Sequence, residues 1–237
     1  MILTASYSDI GGRACNEDSV GIVTKGDEQA CILVADGLGG HGGGAQASAA
    51  VADTICTMWQ NAQPGIDLEC MVQCAHQAVV KLQTSQCSMK STVVVLTLNQ
   101  GFAEWAHVGD SRLYYFHNKT LSFQSRDHSA SQIAVMLGDI TPDQIRFHAD
   151  RNRVLRALGQ DCDLLWKPET SPCFPVTMHS CCVAMDSGST FWKPKWKKTS
   201  ALLQIRKNGL QKCETDSTRE FPKTTTITPL PPFGWYN

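Results

Sequence analysis

The chain has 237 residues and a net charge of −1. It is long enough to bury one substantial core, and its charge balance argues against a globally basic nucleic-acid binder or a protein drawn to an acidic membrane surface. No apolar run approaches the length of a bilayer span, and Met1–Ser6 lacks the basic start and apolar core of a signal peptide, so the expected location is the cytoplasm. Eleven cysteines, with no CxxC pair, support neither a zinc site nor a disulfide framework. Reduced thiols are the reading adopted.

Leu3–Ser8 and Gly21–Thr24 read as strands around a loop carrying Arg13, Asn16, Glu17 and Asp18. Cys31–Ala35 is the next strand. Val51, Ile55 and Met58 form one stripe of a helix that ends near Asn61. Leu68, Met71, Val72, Ala75, Val79 and Leu82 mark a second helix by their three- and four-residue spacing. Thr92–Leu98, Ala103–Val108 and Arg112–Phe116 are strand-like, joined by turns at Asn99-Gln100-Gly101 and Gly109-Asp110. Asp127–Leu137 and Thr141–Phe147 read as short helices, followed by the apolar run Val154–Leu158. Strands, two helices and then a strand cluster indicate α+β architecture with antiparallel sheets.

The composition changes after about Leu165. Eight of the ten prolines lie in Pro168–Pro232, and Lys193–Lys212 carries seven basic residues and no acidic one. A basic run can contact nucleic acid, but a solvated tail is the preferred reading. Residues 1–168 are therefore one unit and 169–237 an atypical tail.

The organising stretch is Cys31–Ser48, CILVADGLGGHGGGAQAS. One carboxylate, Asp36, closes an apolar strand and is followed by glycines and an alanine-rich helical stretch. Such a loop suits a hard cation, a phosphate, or a plain structural turn. No Lys-Ser/Thr closes it as a P-loop would, and GxGxxG spacing is absent. Three further acidic turns, Glu17-Asp18, Asp110 and Asp127, each border a strand-like run. Any one can be a turn cap. Together with Arg13 they form a set suited to divalent cations that activate water beside a bound phosphate.

The motifs RACNEDS (Arg13–Ser19), VADGLGGHGGGAQAS (Val34–Ser48), STVVVL (Ser91–Leu96), VGDSRLY (Val108–Tyr114), RDHS (Arg126–Ser129) and RNRVLRALG (Arg151–Gly159) occur in this order. In them the chain resembles the metal-dependent protein serine/threonine phosphatases, the type-2C or PPM family, in its bacterial single-domain form. The resemblance implies a sandwich of two antiparallel sheets flanked by helices and hydrolysis of phosphoserine and phosphothreonine. It implies that Arg13 binds the substrate phosphate and that Asp36 bridges two Mn2+ or Mg2+ ions. The Gly37 carbonyl would ligate one ion, Glu17 and Asp18 would hold metal-bound waters, and Asp110 would serve a third, looser ion. His41 and His128 would support loops, an apolar Leu38 would leave leaving-group protonation to water, and Met136–Phe147 resembles the mobile flap. Phosphorylated proteins are the implied partners, with a cognate serine/threonine kinase opposing the activity, and neither nucleic acid nor membrane is implied.

The C-terminal end departs from the family. A strand ending in Ser-Asp-Gly and a later Asp-Asn, whose aspartates are metal ligands in the family, do not occur. Met185-Asp186-Ser187-Gly188 has the wrong order, and no strand is expected before it. With suitable codons, Ser180–Trp192 read one base earlier gives FLLCSDGFWEYVL, and Pro222–Leu230 gives KDNDNYTA in the same relative frame. Glu169–Ser180 likewise yields NVSLFSGDNAF. The expectation is that everything after about Leu165–Pro168 is out of frame and that 169–237 lacks a packed arrangement; a catalytically dead remnant, non-enzymatic or phosphoprotein-binding, is the alternative to the metal-dependent phosphatase.

Overall fold

The computed structural model describes residues 2–10, 13–39, 43–61, 67–117, 120–160, 169–170, 174–175, 181–186 and 200–205. Strands β1 (Ile2–Tyr7), β2 (Asp18–Lys25) and β3 (Gln29–Leu38) precede helices α1 (Gly43–Asn61) and α2 (Leu68–Leu82). Then come β4 (Lys90–Ser91), β5 (Val93–Asn99), β6 (Phe102–Val108), β7 (Arg112–His117), β8 (Thr120–Gln124) and helix α3 (Ala130–Leu137). A 3-10 turn at Pro142–Phe147 follows, then β9 (Glu169–Thr170), β10 (Phe174–Pro175), β11 (Cys181–Asp186) and β12 (Ser200–Ile205).

Two antiparallel sheets form. One has the order β1-β12-β11-β7-β8, and the other β10-β6-β5-β3-β2, with β4 on β3 and β9 on β6. The α+β sandwich expected from the sequence is the fold found. Period-two alternation along β3 explains how it serves two cores. Cys31, Leu33 and Ala35 face α1 and α2, where Val51, Ile55, Met71 and Val79 complete one core. Ala30, Ile32 and Val34 face the other way and pack with Leu96, Trp105 and Leu113 between the sheets. A strand buried on both faces reads as a continuous apolar run, as Cys31–Ala35 does.

Helix α2 spans the stretch its periodicity marks, and Asp67 caps it by accepting from the Glu69 amide at 3.1 Å. Helix α3 is shorter than expected. Ser129 Oγ accepts from the Gln132 amide at 3.2 Å, so the helix begins after Ser129, and it ends at Gly138, whose φ of 82° lies in the left-handed region. The second expected short helix is the 3-10 turn, with the Thr141 amide donating to Gln144 Oε1 at 2.8 Å. The sequence carried no signal for β8, all five of whose residues are exposed.

The expectation of no strand before Met185 is corrected. Strand β11 pairs with β7, Met185 lying opposite Leu113 and Asp186 opposite Arg112. Strand β12 lies between β11 and β1, with Ser200 opposite both Asp186 and Tyr7. Cys181–Met185 and Ala201–Leu203 are short, largely apolar runs, and β1 and β7 offer unpaired backbone groups on either side of the gap they fill.

Candidate active site

The site lies where β2 begins and β3 ends. Asp18 stands directly opposite Asp36 in the antiparallel register. These two carboxylates, with Arg13, Asn16, Glu17 and Asp9, line one cleft. Opposed like charges on neighbouring strands repel, and a hard cation beside them relieves that repulsion.

The backbone around Asp36 is tightly held. Its amide donates to Thr92 Oγ1 at 3.0 Å, and its carbonyl accepts from the Thr92 amide at 2.8 Å and from Ser91 Oγ at 3.2 Å. Ser91 pairs in turn with Leu158, amide to carbonyl in both directions, at 3.1 and 2.8 Å. The RNRVLRALG segment thus braces the strand end from behind. On the other side the Gly37 amide donates to the Glu17 carbonyl at 3.0 Å, and Ser48 Oγ of α1 donates to the same carbonyl at 2.6 Å. Asn16 Oδ1 accepts from the Asp18 amide at 3.1 Å.

Gly37 is required by close approach. A Cβ there would lie 2.0 Å from the Gly44 carbonyl oxygen and 2.7 Å from that of Glu17, both backbone atoms. Gly37→Ala should therefore push the end of β3 away from the start of α1. The expected cost is at least about 1–3 kcal/mol, as for overpacking elsewhere, read as a lower urea midpoint. An unchanged midpoint would show that the α1 entry yields freely.

Asp110 lies in the β6–β7 turn and is not among the residues lining the cleft. Its neighbour Ser111 shares a 2.6 Å hydrogen bond with Thr92, the residue that grips Asp36, so the Asp110 turn is tied to the site through one hydroxyl pair. Asp127, the fourth acidic turn, is placed differently. It forms a buried bidentate ion pair with Arg112. His41 lies outside the described residues. Met136, Leu137 and Phe147 of the expected flap segment are exposed. Asp9 is a cleft residue the sequence reading missed. It follows β1 and accepts from the Tyr7 hydroxyl at 2.6 Å, a bond that pushes the Tyr7 phenol upward.

His128 supports the Asp110 turn. Its Nδ1 accepts from the Gly109 amide at 3.2 Å, and its ring stacks on His107 at 4.5 Å. Burial first, then His107 and Arg156, push it down from 6.5 to about 3. The folded state thus holds a neutral ring, whereas the unfolded chain takes up a proton below about pH 6.5. This stability is present above that pH and is lost as pH falls toward 3. Acid unfolding should begin below pH 6.5, and His128→Asn, whose Oδ1 can still accept from Gly109, should flatten the pH dependence between those limits. Equal slopes in variant and parent would rule this out.

An oxygen-only donor set of half-buried Asp18, Asp36 and Glu17 fits a hard divalent cation. Among the described residues no three His, Cys, Asp or Glu side chains are close enough to hold an ion directly, so water must supply part of any coordination shell.

The fold is shared with solved bacterial phosphatases. The S. agalactiae serine/threonine phosphatase aligns with a TM-score of 0.72 at 19% identity, covering 87% of this chain and 100% of that one. The catalytic domain of PstP in complex with two manganese ions aligns with a TM-score of 0.68 at 22% identity, covering 87% and 99%. This is the PPM phosphatase fold. The profile of the family described as Protein phosphatase 2C matches residues 7–160, and the chain belongs to that family. Serine/threonine phosphatase stp of Listeria welshimeri is 30% identical over 154 residues, 61% of this chain and 61% of that protein. Protein phosphatase PhpP of Streptococcus pneumoniae is 27% identical over 162 residues, covering 65% and 66%. The chain thus spans about 61–66% of the length of these curated relatives.

Proposed function

We propose that this fold hydrolyses phosphoserine and phosphothreonine in proteins at a binuclear Mn2+ or Mg2+ site. The observation that carries the reading is the juxtaposition of Asp18 and Asp36 in one cleft with Glu17 and Arg13. Asp36 and the Gly37 carbonyl would contact the ions directly, Glu17 and Asp18 would act through water, and Asp110 would serve a third, weaker ion. Bound divalent cations supply the Lewis acidity that makes water nucleophilic near neutral pH. The exposed Arg13 guanidinium would receive two phosphate oxygens on its planar fork and orient the phosphorus toward the carboxylate wall. The substrates would be phosphorylated proteins, counteracting a serine/threonine kinase in the cytoplasm. Among the described residues no helix is long and apolar enough to cross a membrane.

A second reading concerns the chain as translated. The family profile ends at residue 160, whereas the structural likeness covers 87% of the chain. The end of the profile supports a tail, 169–237, that is out of frame, and the Ser-Asp-Gly and Asp-Asn motifs expected of it do not occur there. On this reading the chain is a non-catalytic remnant that could retain phosphoprotein binding.

One assay separates the two. The chain as translated and a version with the frame restored after residue 168 are given a phosphopeptide, with Mn2+ and with chelator. The expected result is Mn2+-dependent turnover in the restored protein, abolished by chelator, and none in the chain as translated. Equal turnover in both would make the present tail part of a working site. No turnover in the restored protein would overturn the phosphatase reading.

A further inference from the structure

Helix α2 carries two exposed thiols, Cys70 and Cys74. Four residues is about one helical turn, so they share a face, while Met71, Val72 and Ala75 occupy the buried one. The two thiols act on each other, and the Asp67 carboxylate, which caps the helix, is close enough to act on Cys70. The cluster is separate from the cleft. Gly44, in the first turn of α1, approaches Gly37 and Glu17, whereas α2 starts beyond the other end of that 19-residue helix.

We propose that Cys70 and Cys74 form a site for a soft, thiophilic divalent cation, with their sulfurs as its anchoring ligands and Asp67 as a neighbouring anion.

The spacing suits ligation. A tetrahedral ion bound to two thiolates at about 2.3 Å holds the sulfurs roughly 3.8 Å apart, a separation that side chains with Cβ atoms about 5–6 Å apart reach by turning toward each other. A disulfide does not suit it. That bond needs Cβ atoms about 3.5–4.5 Å apart, and side chains one helical turn apart have theirs at about 5–6 Å. The pair therefore persists as a dithiol. Cys74 above all, then slight burial and Asp67, raises the Cys70 thiol above its ordinary range, so this thiol keeps its proton until a cation displaces it. As each sulfur–metal bond forms, one S–H proton passes to solvent and the aquo ion loses water. No electrons are transferred. Sulfur donors also separate this site from the Asp18, Asp36 and Glu17 carboxylates of the cleft, which favour hard ions.

The test uses the full, reduced chain and Cd2+ alone, read by thiolate-to-cadmium absorption and by proton release. Cys70→Ser and Cys74→Ser should each weaken the tightest Cd2+ binding at least tenfold and remove its absorption, while Cys15→Ser should leave both unchanged. Mn2+ should produce no such band. A second measurement locates the site: Cd2+ should protect Cys70 and Cys74 together from alkylation, mapped by peptide mass. Cd2+ affinity and absorption unchanged in the double variant, or protection confined to other cysteines, would overturn the proposal.

Discussion

In the frame-restored protein, Asp36→Asn is expected to reduce Mn2+-dependent hydrolysis of p-nitrophenyl phosphate on the order of 100-fold or more, the scale on which losing one group that stabilises developing charge acts. The substitution changes charge and little else. The Asp36 amide and carbonyl are held by Thr92 and Ser91, so Asn is delivered to the same point at the end of β3. Asn keeps one oxygen but loses the negative charge that makes a carboxylate a strong ligand for a hard divalent ion. The loss should be only partly relieved by raising Mn2+, because an ion that binds again still lacks its anionic partner. Thermal stability without metal should be unchanged or slightly raised, since the repulsion from Asp18 across the strand pair is removed. The measurement is turnover against Mn2+ concentration beside a melting curve in chelator. Turnover close to that of the parent at equal stability would remove Asp36 from the catalytic machinery.

Arg112→Met should have the largest effect on stability. Arg112 and Asp127 form a bidentate pair, with side-chain exposures of 9% and 1%. Burial alone would lower the guanidinium, but hydrogen bonding and charge from Asp127 more than offset it and leave it above its usual value. Removing one partner leaves an uncompensated buried carboxylate, which costs about 3–5 kcal/mol. That is a large share of the 5–15 kcal/mol or so that holds a typical domain together. The double change Arg112→Met with Asp127→Asn should recover part of the loss, because the neutral amide no longer demands a counter-charge. Urea midpoints of parent, single and double variants measure this. A single variant as stable as the parent would show that water reaches Asp127 readily.

The contrast between Asp36 and Asp127 shows where sequence reasoning stops. Both are aspartates bordering strand-like runs, and both stand in motifs of the resembled family. Only the fold separates a carboxylate in the cleft from one neutralised by Arg112, fifteen residues away in the chain. Asp9 was missed for the converse reason, since an isolated aspartate after a strand carries no local signal. The Cys70–Cys74 pair was passed over because a search for CxxC spacing assumes a loop, whereas on a helix the relevant interval is four.

The sequence by itself determined much of the local structure of the first 160 residues, though not β8: the apolar run of β3, the stripe of α2, the order of the motifs, and Asp36 near a strand end. These depend on periodicity and capping within a few residues. The tertiary structure decided which groups meet. Asp18 opposes Asp36 because β2 and β3 pair in one register, and a slip of one residue would turn either carboxylate to the other face of the sheet. Likewise, the short apolar run Cys181–Met185 names no partner by itself, yet β11 pairs between β7 and β12. Register and pairing are long-range properties, fixed by the fit of whole faces and by the backbone groups that must be satisfied between them.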